Sequence, residues 1–175
     1  MRIKQCHEFY YRLDNFSVLA SGKFYIHDLN MKYLSICLYD DFAYLGSKNE
    51  LEKNINDYFI EGHGIGLPST QISVDKKNDL IYIGVMPDPC DDDSEVYEPI
   101  NNYKTRLDLF KEGLVESVHL SKENFFYILR TWKKYREEKP PFLLLYQDEK
   151  DWFDVKPFET RELMEQFIEE HVKIE

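Results

Sequence analysis

Leu120-Ser-Lys-Glu-Asn-Phe-Phe-Tyr-Ile-Leu-Arg-Thr-Trp-Lys-Lys-Tyr-Arg-Glu-Glu-Lys-Pro-Pro-Phe-Leu-Leu-Leu-Tyr146 carries the plainest structural signal in the chain. Ser121 is a helix cap, and Phe125, Ile128, Leu129 and Trp132 recur at i, i+3, i+4 and i+7, one face of an α-helix. Pro140-Pro141 ends it, because the residue before a proline is pushed out of the helical region. Residues 142–146 are then wholly apolar or aromatic, as a buried strand is.

Working outward, residues 114–120 read as a strand, so the helix would join two strands in a βαβ step with a parallel pair. Residues 152–158 read as a further strand. Thr160 caps a last helix whose inner face is Leu163, Met164, Phe167 and Ile168. Toward the N-terminus, residues 104–111 suggest a short helix. Residues 71–74 and 80–86 suggest two strands around the turn Asp75-Lys-Lys-Asn-Asp79. Ser47-Lys-Asn-Glu50 is a capping box, followed by Leu51, Ile55, Tyr58 and Phe59 on one helical face. Residues 33–39 alternate Leu34, Ile36 and Leu38 with Ser35, Cys37 and Tyr39, the pattern of a half-buried strand. Residues 16–20 and 24–29 flank Ser21-Gly22-Lys23, a hairpin-type loop. About three helices and a mostly antiparallel sheet predict an α+β fold in one layered domain over residues 1–175.

The chain has 175 residues, 43% of them hydrophobic, which is enough to bury a core without a metal or disulfide staple. No apolar run reaches the roughly 18 residues of a membrane span. Met-Arg-Ile-Lys-Gln-Cys-His, at the start, lacks the apolar core of a secretory signal. Cys6, Cys37 and Cys90 are three scattered cysteines, which fits reduced thiols in a cytoplasm. Acids outnumber bases 33 to 22, a formal charge of −11. That excess argues against a surface that grips nucleic-acid phosphates or anionic lipid. Much of it sits in Asp88-Pro-Cys-Asp-Asp-Asp-Ser-Glu-Val-Tyr-Glu98, which holds six acids and no base.

No catalytic or metal motif is specific. Gly62-His-Gly-Ile-Gly66 lies between a predicted helix and a strand, the reverse of a dinucleotide fingerprint, and lacks the lysine of a phosphate loop. His63 could serve as a general base in a small enzyme, but a glycine-rich turn explains the same residues. An EF-hand starting at Asp91 would need glycine and glutamate where Val96 and Asn102 stand. The five histidines show no zinc spacing, so no metal and no cofactor is expected. Lys122, Arg130, Lys133, Lys134 and Arg136 form a basic strip that Glu123, Glu137 and Glu138 dilute. Trp152, between acids in Asp148-Glu-Lys-Asp-Trp-Phe-Asp154, has the setting of an interface anchor.

The pattern at residues 114–154, a capped helix with Trp132, the diproline and Phe-Leu-Leu-Leu-Tyr-Gln-Asp148, resembles the small immunity proteins encoded beside bacterial polymorphic toxins. Contact-dependent growth inhibition is their best-known setting. The resemblance covers about 40 of the 175 residues. It implies a compact cytoplasmic protein with no catalytic residue of its own, which binds one cognate toxin, often a nuclease, tightly and 1:1. A nuclease cleft is basic, so an acidic inhibitor would meet it with complementary charge. The expected contact residues are Asp88, Asp91, Asp92, Asp93, Glu95, Tyr97 and Glu98 in the acidic run. Asp148, Glu149, Asp151, Trp152 and Asp154 complete them. An enzyme with a pocket at His63, or an acidic adaptor that mimics nucleic acid, are the alternatives.

Overall fold

The computed structural model describes residues 1–12, 18–25, 29–41, 65–67, 69–85 and 105–172. They form an α+β fold with two antiparallel sheets. The chain divides into two compact units, one of residues 1–31 with 123–175 and the other of residues 32–122. The expected helix at residues 47–59 and the acidic run at residues 88–98 lie outside the described residues.

In the first unit the strands are β1 (Ile3–Arg12), β2 (Val18–Phe24), β7 (Phe142–Asp148) and β8 (Phe153–Phe158), in the order β2-β1-β7-β8. Helix α3 (Lys122–Glu138) lies against one face and α4 (Arg161–His171) against the other. The period-2 alternation assigns the faces. Phe9 and its neighbour Leu143 point to α3, where the fully buried Trp132 ring stands 4.9 Å edge-on from Phe9. Cys6, Leu144 and Tyr146 point to α4 and cluster with Met164 and Ile168. Burying a large side chain such as Trp132 contributes about 2–3 kcal/mol, so this sandwich is where the unit gains its stability.

The second unit holds β3 (Ile65–Gly66), β4 (Gln71–Asp75), β5 (Leu80–Gly84) and β6 (Ser117–Ser121), paired in that order. Helix α2 (Arg106–Lys111) is closed at its start by a capping box between Thr105 and Asp108. A Cβ on Gly84 would lie 2.6 Å from the Glu116 carbonyl and 2.7 Å from the Phe110 ring, so only glycine lets α2 and β5 approach this closely. Helix α1 (Leu29–Ile36) runs into a π-helical turn, Cys37–Asp41. The buried Asp41 carboxylate accepts from the Ser69 amide at 2.9 Å and the Thr70 hydroxyl at 2.5 Å, tying the turn to the start of β4.

Several sequence expectations hold: the β4–β5 hairpin, α2, α3 ending before the diproline, β7, β8 and the Thr160 cap of α4. Four others are corrected. Residues 33–39 are helix and π-turn, not strand: Leu34 and Leu38, and likewise Tyr33 and Cys37, are each buried four residues apart, the spacing of a helix. Ser21-Gly22-Lys23 is no turn but the interior of β2. Gly22 is needed there because a Cβ would meet the Glu8 side chain at 2.9 Å, beside the register shift between His7 and Phe9. No parallel pair forms among the described strands: β6 joins β5 and β7 joins β1, so α3 links two sheets. Leu163 lies outside the inner face of α4, half exposed at 51%.

Candidate functional site

Of the contact residues expected from sequence, those from Asp88 to Glu98 fall outside the described residues, as does His63. The second group sits on the β7–β8 hairpin. There Asp148 organises the turn: its Oδ1 accepts from the amides of Lys150 at 2.8 Å and Trp152 at 2.9 Å. Asp151 takes the left-handed conformation, φ 64, and its carboxylate meets Lys4 Nζ at 2.6 Å on the exposed surface. Glu149 is exposed, while Trp152 is half-buried with its ring 5.6 Å from that of Tyr127 on α3. Phe153 is fully buried in the core rather than displayed.

Asp154 is occupied inside the fold. Its carboxylate accepts from Tyr127 at 2.7 Å, Tyr146 at 2.9 Å and the Val155 amide at 2.7 Å. Burial, and after it the neighbouring carboxylate, pushes the Tyr127 phenol up to about 12 and raises that of Tyr146 as well. The hairpin therefore brings Asp148, Glu149, Asp151, Trp152 and Asp154 into one region, but only Glu149 and Asp151 are exposed, and Asp151 is paired with Lys4.

Beside it, Asn124 on the first turn of α3 makes a two-point contact with the outer edge of β8. Its Nδ2 donates to the Phe153 carbonyl at 2.7 Å, and its Oδ1 accepts from the Phe153 amide at 2.8 Å.

Burial sets the titration of Cys6 and His7 in the first unit. Cys6 is pushed up to about 12, which makes it an inert thiol. Cys37, in the second unit, is likewise pushed up to about 12. His7, 2% exposed, has its Nε2 2.9 Å from Ser21 Oγ and its ring 4.3 Å from Phe9. Burial lowers its pKa to about 4, a hydrogen bond with the Gly22 backbone opposing. Below the ordinary 6.5 the unfolded chain takes a proton that folded His7 refuses, so the contribution is intact above that pH and falls as pH drops toward 4. Between pH 7 and pH 5 this removes about 2 kcal/mol. Urea midpoints across that range should show the loss, and His7→Gln should flatten it; parallel profiles for the two chains would refute the assignment. Asp75, in the second unit, is held at about 2 by hydrogen bonds from Lys111 and Asn78. No group of three or more His, Cys, Asp or Glu suited to a metal ion occurs among the described residues. No described helix is long and apolar enough to cross a membrane.

Sequence reasoning named the diluted basic strip of α3 but missed the acidic flank of α4, which lies on the other side of the first sheet. Around α3 the side chains of Arg130, Lys133, Lys134, Arg136 and Lys139 outnumber Glu123, Glu137 and Glu138. On and just before α4, Glu159, Glu162, Glu165, Glu169 and Glu170 face solvent, and the lone base, Arg161, reaches the buried Glu8 at 2.6 Å. The signal was available: Met164 and Ile168, four apart, mark the inner line of α4 and leave its glutamates outside. No family model, no curated protein and no solved structure matches this chain.

Proposed function

We propose that this chain is an immunity protein, a cytoplasmic inhibitor without catalysis of its own that binds one basic cognate toxin 1:1. The toxin is a nuclease whose active site is closed by an acidic surface. The observation that carries this reading is the disposition of charge: a net −11, with an acidic helix on one side of the first sheet and a basic one on the other. Such an asymmetric field turns a basic partner toward the acidic side before contact and raises its on-rate. The resemblance of residues 114–154 to toxin-associated immunity proteins supports the same reading.

The test is association of the purified chain with the protein encoded by the adjoining open reading frame, at about 20 and 200 mM salt. The on-rate should fall about tenfold as the salt rises. Alanine at Asp91, Asp92 and Asp93 should lower it at the lower salt, and the 1:1 complex should lack nuclease activity. An on-rate indifferent to both salt and these substitutions would sink the steering mechanism.

A further inference from the structure

We infer that the outer flank of α4 supplies the anchor of this contact: Leu163, backed by Phe167 and rimmed by Glu159, Glu162 and Glu170, inserts into an apolar socket on a basic protein surface. The inference rests on the immunity reading and adds to it the place and chemistry of docking.

A single exposed leucine is ordinary on a protein surface. Leu163 differs in what surrounds it. Phe167, four residues on and therefore on the same flank, is half-buried. Its ring is held 5.4 Å from Phe158, 5.9 Å from Tyr146 and 4.3 Å from His171. Lys156 Nζ sits 5.1 Å from the centre of the same ring. Phe167 is thus a fixed backing, and Leu163 projects beyond it at 51% exposure. The backbone beneath is fixed too, since the Leu163 amide donates to the capping Thr160 hydroxyl at 3.3 Å. An anchor placed before binding loses little conformational freedom on contact.

The rim sets the partner's charge. Arg161 is committed to Glu8, so it does not offset the glutamates on the outer side. An apolar centre within a charged rim is the anatomy of a specific interface; Lys156, over the Phe167 ring, is outnumbered there by Glu159, Glu162 and Glu170, and this acidic excess selects a basic partner. The basic α3 face would repel the same partner. One helix flank is smaller than the roughly 800 Å² per partner of a standard interface, so α4 supplies the anchor and not the whole contact.

The experiment uses the full chain and the protein encoded by the adjoining open reading frame, with on- and off-rates measured separately. Leu163→Asp should weaken binding about a hundredfold, mostly through the off-rate. Glu162→Lys with Glu170→Lys should slow association about tenfold. Lys134→Glu on α3 should not weaken binding. Unchanged thermal midpoints would show that these exposed substitutions leave the fold intact. Tight binding by the wild type that Leu163→Asp leaves unaltered overturns the α4 anchor and spares the immunity reading. Absence of binding by the wild type overturns both.

Discussion

Asn124→Leu should cost about 4 kcal/mol of unfolding free energy. Leucine has the same branched shape and is the larger residue, so the loss does not come from a cavity. It comes from Phe153, whose amide and carbonyl both bond the Asn124 side chain, itself 1% exposed. Each buried backbone group left without a partner costs about 1–3 kcal/mol, and here there are two. The asparagine stands in for the strand that β8 lacks on its outer side. Two residues along, the Val155 amide is taken by the Asp154 carboxylate; two further, Pro157 has no N–H to offer. Every outward amide position from Phe153 to Pro157 is thereby closed to a foreign strand. Equilibrium urea unfolding gives the loss, and hydrogen exchange gives its location. The Phe153 amide should exchange slowly in the wild type and quickly in the variant, which should also aggregate more readily. A loss under about 1 kcal/mol with the Phe153 amide still protected would refute the account.

Arg161→Met should cost about 3 kcal/mol, nearly all of it recovered when Glu8 is also replaced by leucine. Glu8 is fully buried on β1. Its Oε2 accepts from the Tyr25 hydroxyl at 3.0 Å, and its Oε1 relies on Arg161 Nη2 at 2.6 Å, an ion contact without hydrogen-bond alignment. Removing the guanidinium strands a carboxylate in a dry site, while removing both charges leaves only the hydroxyl of the half-buried Tyr25 to find another partner. The Arg161 side chain is 46% exposed and its guanidinium leans over the Tyr10 and Phe142 rings at 6.0 and 5.5 Å, so water screens part of the attraction. That exposure places the expected cost at the low end of the range for buried pairs. A double-mutant cycle measures it directly: the sum of the single losses should exceed the double loss by at least about 1.5 kcal/mol. Additive losses would mean that the pair contributes nothing as a pair.

The fold class was legible where local patterns and burial agree. Helix α3 shows its face at Phe125, Ile128, Leu129 and Trp132, and β4–β5 is a local hairpin with turn residues between apolar runs. Strand β1 was illegible for a physical reason. Gln5, His7 and Glu8 are polar yet buried, each paired with a residue distant in the chain or in β2, and these long-range partners erase the alternation that marks a strand. Tyr33–Cys37 misled in the opposite way, since a helix buried on most sides can show any period one looks for. At the candidate site, acids could be counted but not sorted. Asp154 and Asp148 look like Glu149 and Asp151 in sequence; only the positions of Tyr127, Tyr146 and the turn amides separate those used within the fold from those facing water.

The pairing of β1 with β7 joins Ile3 to Asp148 and Tyr10 to Phe142, partners at least 132 residues apart. On the ribosome, β1 and β2 emerge early, yet their sheet cannot be completed until the last third of the chain has been made. Residues 32–122 are released in the interval and can fold with contacts of their own. Closing so long a loop is a slow step, because its entropy is lost before the contacts that reward it form. The pairing of β1 with β7 is therefore expected late in folding, and until it forms the apolar face of β1 stays open to other chains.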